Sequence, residues 1–122
     1  MAAQLLNSSK SNANVANHVT FATSFLKKAF GLMGRQPLAA GEALYFRGTK
    51  MMPCNSIQTC FMRFDLDVIF LDSSERVLSV SRNVKPWRMT WPVSGAVHAI
   101  EMTSGSAEVA KIEIGDLLHV GD

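Results

Sequence analysis

The sequence predicts a mainly β (α+β) fold: a single compact antiparallel β-sandwich or partly open barrel with two short helices. Three observations predict it. Short runs of β-branched and aromatic residues recur with turn signals about every 8–12 residues, the spacing of small sandwiches and barrels. The richest of them, Pro53–Asp72 (PCNSIQTCFMRFDLDVIFLD), has Ile57, Phe61, Phe64, Val68, Ile69 and Phe70 interrupted by Arg63, Asp65 and Asp67. The composition, 48% hydrophobic and 18% charged over 122 residues, is that of one globular domain rather than a disordered chain.

Element by element, residues 1–14 read as a ragged N-terminal strand followed by a polar turn, NSSKSNAN at 7–14, which leads into a second short strand. From Phe21 the period changes: Phe21, Phe25, Leu26, Ala29, Phe30 and Met33 recur at helical spacing, with Lys27 and Lys28 opposite, which predicts the first helix as a core-packing element. Residues 35–42 are a loop and Ala43–Phe46 a short strand. Further strands are expected at about 56–63, 66–72, 76–82, 95–102 and 117–120, the second and third of these joined by a hairpin at Ser73–Glu75. Residues 83–94, with Pro86 and Pro92, form a long loop. After Met102, TSGSAEVAKI suits the second helix, with Ser104 or Ser106 as its cap, and Gly115–Asp116 turns into the last strand.

Charge and cysteine content narrow the classes. Residues 1–50 carry a net +5 and residues 51–122 a net −3, an asymmetry that a solvated basic face explains, and few aromatics interleave with the cations, so nucleic acid is not an expected partner. No apolar run reaches the ~20 residues that cross a bilayer. The start lacks a signal-peptide pattern, so a cytoplasmic location is expected. Cys54 and Cys60, on one strand, would stand roughly 20 Å apart, beyond disulfide reach, and read as buried thiols. His18, His98 and His119 are isolated, no C-x-x-C or H-E-x-x-H occurs, and no G-x-S-x-G or phosphate-loop glycine pattern is present. No metal and no cofactor is expected.

Five motifs in order, GLMGR at 31–35, GEALYF at 41–46, IQTCFMRFDLDVIFLD at 57–72, VKPW at 84–87 and AIEMTSGSAEVAKIEIGDLL at 99–118, resemble the small prokaryotic family catalogued as domain of unknown function 192. The resemblance covers roughly residues 20–120 and implies a compact, mainly β sandwich with short helices, without implying a reaction. Against that pattern, Gln58 stands where many members have His, Cys60 where an aromatic is common, Asp65 where Pro is usual, and Glu75 where a turn glycine is usual. The last of these implies an altered hairpin.

Charges planted among β-formers must be paired, solvated or at a cleft, because burying one alone costs several kcal/mol. Asp67 and Glu101 therefore stand out as a candidate catalytic carboxylate pair, provided that both face one cleft. The alternative is that each accepts backbone amides or pairs with Arg35 or Arg63. The candidate ligand-binding set is Arg35, Met62, Arg63, Asp67, Trp87 and Trp91, with Arg35 a bidentate carboxylate clamp or a structural tie and Trp91 beside Arg88 the better exposed contact. His98 reads as a core histidine. The leading expectation is a non-catalytic binding module for a small molecule, a saccharide or a peptide, monomeric by default. A hydrolase or lyase using Asp67 and Glu101, and a protein-interaction domain using an exposed strand edge, are the two alternatives.

Overall fold

A computed structural model of the chain describes residues 3–22, 41–46, 65–85 and 93–121. The strands are β1 (Gln4–Asn7), β2 (Ala13–Ala16), β3 (His18–Ala22), β4 (Glu42–Phe46), β5 (Leu66–Leu71), β6 (Val77–Val84), β7 (His98–Thr103) and β8 (Leu118–Gly121), with one short helix, α1 (Ser106–Val109). They form a three-stranded sheet ordered β2-β1-β8 and a five-stranded sheet ordered β3-β4-β7-β5-β6. This is the two-sheet, mainly β architecture that the strand pattern predicts. No helix among the described residues is long and apolar enough to cross a membrane.

The smaller sheet packs on one face of the larger. Leu5, Val15 and Ala16 from the first meet Tyr45, Ile69, Ile100 and Met102 from the second, with Ala107 of α1 and Ile112 closing the layer. A second cluster, built on Leu44, Leu66, Val68 and Phe70, occupies the opposite face of the large sheet. All six residues of β5 are therefore buried. That is why its sequence reads as a near-continuous apolar run instead of an alternating one.

Several elements depart from expectation. The helical spacing that starts at Phe21 overlaps β3, which runs through Ala22 and pairs with β4 in parallel register, Phe21 opposite Tyr45. Phe21 also stacks on Tyr45, ring centroids 5.4 Å apart, so a period-2 contact decides the local structure there. The rest of that expected helix, the expected strand at 56–63 and both cysteines lie outside the described residues. The hairpin at 72–76 is held by Asp72, whose Oδ1 accepts the Ser74 and Arg76 amides at 2.8 and 3.0 Å. Glu75 sits in the left-handed region (φ 68) that normally favours glycine. Its carboxylate accepts the buried Tyr45 hydroxyl at 2.5 Å, a contact that glycine could not make and that offsets the conformational cost.

The two ends of the chain are tied by a polar cluster. Buried Asn7 donates from Nδ2 to Asp116 Oδ2 at 2.8 Å, and the same oxygen accepts the Glu113 amide at 3.0 Å. Lys10 lies 3.5 Å from that oxygen and 2.6 Å from Glu113. Burial pushes the Asp116 carboxyl up, but the Asn7 hydrogen bond, the Glu113 amide and Lys10 outweigh it and hold it below its ordinary 3.8. Because the folded value is depressed, this contribution is present above pH 3.8 and is lost as pH falls through the lowered value. Asn7→Ala should accordingly cost about 1–3 kcal/mol at neutral pH. Urea unfolding at falling pH should show that cost shrinking once Asp116 is protonated.

Candidate functional site

Asp67, in the middle of the apolar β5, is fully buried. Its carboxylate accepts three backbone amides: Asn83 on Oδ1 at 3.0 Å, and Gly105 and Ala107 on Oδ2 at 3.0 and 2.9 Å. Gly105 is the N-cap of α1, with φ 92 and no side-chain cap of its own. The serines that the sequence offers as caps do something else: Ser106 Oγ bonds Thr103 Oγ1 at 2.7 Å, and Ser104 Oγ bonds the Asn83 side chain. Asp67 thus satisfies, from a neighbouring strand, amide donors that an N-cap side chain would otherwise take. In doing so it joins the bulge between β5 and β6 to the loop that follows β7.

Glu101 is on the adjacent strand but not on the same side. The register sets Asp67 opposite Met102 and Val68 opposite Glu101. Directly opposed residues share a face and successive residues alternate, so Asp67 points toward the inter-sheet core and Glu101 toward the other face, beside Leu44 and Val68. The sheet separates the two carboxyls, and the single cleft that the acid–base reading requires is not formed. Glu101 is 1% exposed and, among the described residues, its Oε2 has no hydrogen-bond partner. Burial among apolar neighbours pushes its pKa up to about 8, so at neutral pH it is largely the neutral acid.

The other expected site residues Arg35, Met62, Arg63, Trp87 and Trp91 lie outside the described residues. Asp65 pairs with Lys85 at 2.7 Å in a partly exposed contact. The three histidines stand on three different strands. His98 meets Tyr45 edge-on at 5.8 Å, and His119 Nδ1 is 2.6 Å from Ser8 Oγ.

What Asp67 does build is one wall of a groove. Between β2 and the segment from Met102 to Ala110 there is a cavity volume of about 380 Å³, lined by Asn14 and Val15 on one side and by Thr103, Ser104, Ser106 and Val109 on the other. Among the described residues, no charged side chain lines it. An ideal Cβ on Gly105 would meet nothing within 4 Å. Glycine is needed at this position for its positive φ rather than for space. Hydroxyls, an amide and an aliphatic patch at Val109 and Ala110 make a mixed surface suited to an uncharged ligand with both apolar and hydrogen-bonding faces. The sequence motifs include Thr103–Ala110, and Ser104 and Ser106 stand out there as helix caps, but nothing in them marks these residues as a groove lining. The available signal is the Ser-Gly-Ser triplet at 104–106, and its meaning depends on a carboxylate nearly forty positions upstream.

The sequence profile of the family described as DUF192, Uncharacterized ACR, matches residues 6–120. A UPF0127 protein of Pyrococcus abyssi is 38% identical over 117 residues, covering 92% of each chain. A second, from Pyrococcus horikoshii, is 39% identical over 112 residues, 92% of this chain and 94% of its own. Among solved structures, a Sinorhizobium meliloti protein labelled provisionally a transcription regulator superposes with a TM-score of 0.73 at 20% identity, over 97% of this chain and 91% of that one. A protein of unknown function from Novosphingobium aromaticivorans gives 0.66 at 24% identity, over 84% and 72%. At these identities the structural likeness concerns the fold.

Proposed function

Because the chain belongs to the DUF192 family of uncharacterised proteins, its chemistry rests on its own geometry, and we propose that it is a non-catalytic binding module for an uncharged saccharide or short peptide seated between β2 and α1. The observation that carries this reading is the pairing of a hydroxyl-lined groove, without a charged side chain among the described residues, with a buried carboxylate that accepts two amides of the groove's wall. Rigid positioning of backbone and short polar side chains lowers the ordering cost of binding. A reactive role for Asp67 would need access from solvent, whereas its side chain is fully buried and holds three backbone amides. The hydrolase or lyase reading, which needs Asp67 and Glu101 in one cleft, is not retained.

A thermal-shift screen against saccharides, peptides, nucleotides and metal ions tests the proposal. A ligand at about a hundred times its Kd stabilises the folded state by ~2.7 kcal/mol, which raises Tm by about 10 °C for a chain this long. The expected result is such a rise with a saccharide or peptide. Val109→Lys, at an 85% exposed position on the groove, should leave the unliganded Tm within a degree or two and abolish the rise by placing a cation among neutral contacts. An equal rise in Val109→Lys, or none with any uncharged ligand, contradicts the proposal.

A further inference from the structure

The groove between β2 and α1 has a hydrogen-bonding polarity, set by what its polar groups already hold. On the β2 wall, Asn14 Nδ2 lies 3.5 Å from Ala16 O, at the outer limit of a hydrogen bond. A side-chain amide carries two N–H hydrogens, so among the described residues this wall still offers a donor. On the facing wall the Ser104 hydroxyl donates to the Asn83 side-chain oxygen. A hydroxyl has one hydrogen and two lone pairs, so Ser104, with its hydrogen spent, presents an acceptor.

Thr103 and Ser106 set no polarity, because they bond each other at 2.7 Å and either hydroxyl can be the donor. Ser104 does, because its partner is itself held. Asn83 has a left-handed φ of 55, and its amide is bound by Asp67 at 3.0 Å. The acceptor is therefore in place before a ligand arrives, which lowers the ordering cost of using it.

A donor on one wall and an acceptor on the other call for a ligand group that accepts in one direction and donates in the opposite one. A trans secondary amide is such a group, with its C=O and N–H on opposite sides of one rigid plane. A hydroxyl also does both, but it rotates and must be ordered on binding. The carbon substituents of an amide suit the aliphatic surface at Val109 and Ala110, of which Val109 is 85% exposed. Resting on the binding-module reading above, we infer that the groove recognises a neutral secondary amide, whose carbonyl accepts from Asn14 and whose N–H donates to Ser104. An N-acetylamino sugar and a short peptide backbone share this chemistry. A plain polyol lacks it.

Nuclear magnetic resonance titration of the full chain with matched pairs of uncharged probes tests the inference and separates the two sources. Diacetylchitobiose is compared with cellobiose, and N-acetyl-alanyl-alanine methylamide with its ester analogue, in which oxygen replaces every N–H. In at least one pair the amide member should bind about tenfold more tightly. Preference in the sugar pair alone assigns an amino sugar, and preference in the peptide pair alone assigns a peptide. Ser104→Ala, at an exposed position, should keep the wild-type circular dichroism and reduce the preference to about twofold or less, because the acceptor of the N–H is gone. Asn14→Ala should weaken amide and ester alike, since both keep the carbonyl. Equal binding within both pairs overturns the inference while leaving a site for uncharged ligands. A preference unchanged in Ser104→Ala overturns it too, because the N–H then goes elsewhere. Absence of binding to every probe also overturns it, and the thermal-shift screen decides the wider reading separately.

Discussion

Replacing Asp67 by alanine is expected to destabilise the protein by about 3–5 kcal/mol, the largest effect of any single polar substitution in the described residues. The side chain is fully buried and accepts three amides, of which that of Ala107 is buried and those of Asn83 and Gly105 are part-buried, so their replacement by water is incomplete once the carboxylate is gone. An unsatisfied buried donor costs roughly 1–3 kcal/mol, and three neighbours that relax together cost less than three times that. Against a total stability of about 5–15 kcal/mol, the loss is a large fraction of the whole. Asp67→Asn should be milder but still costly. Its oxygen can keep the Asn83 amide, while its NH2 group faces the Gly105 and Ala107 donors with nothing to accept. Urea unfolding of the two variants, with wild type, checks both the size and the order of the effects. A cost below about 1 kcal/mol for alanine would mean that the three hydrogen bonds contribute nothing net.

Glu101 should give the opposite sign. In the folded protein it keeps its proton up to about pH 8, whereas the unfolded chain releases it near the ordinary 4.5. Between those values only the unfolded state is ionised, so stability is full below pH 4.5, falls as pH rises, and levels off above about 8. The slope is about 1.4 kcal/mol per pH unit, and the accumulated loss is on the order of 3–5 kcal/mol. Glu101→Gln, neutral at every pH, should remove that slope. It should unfold near wild type at pH 4.5 and be markedly more stable than wild type at pH 8.5. Chemical denaturation of both proteins across this range gives the answer, and parallel pH profiles would show that Glu101 is not the neutral acid its surroundings make it.

The fold was readable wherever a single periodicity dominated. The IFL run of β5, the Gly115–Asp116 turn and the final strand are local signals, and their positions match. At His18–Ala22 two periods compete. Val19 and Phe21 alternate as a strand while Phe21, Phe25 and Phe30 recur as a helix, and the outcome depends on Tyr45, more than twenty residues downstream, offering a ring to stack on. The parallel pairing of β3 with β4 has no local signature for the same reason. At the site, the sequence shows that Asp67 and Glu101 are charges among β-formers, and burial bears this out for both. It does not show which faces they take, because that follows from a one-residue offset in the β5–β7 register. Nor can it show what Asp67 accepts: its three donors lie 16, 38 and 40 residues away. That Asn14, Ser104 and Val109 share a groove has no local signal, because the groove exists only once the small sheet has packed against the loop after β7.

Amide hydrogen exchange at Asn83, Gly105 and Ala107 in the wild-type protein tests the Asp67 anchor most directly. If the buried carboxylate holds the groove wall, all three amides exchange as slowly as those in the β5–β7 ladder, although two of them lie in a loop and at the start of a single helical turn. Exchange of Gly105 and Ala107 at the rate of a solvent-exposed loop would contradict the account, because the wall would then be free of the side chain said to build it.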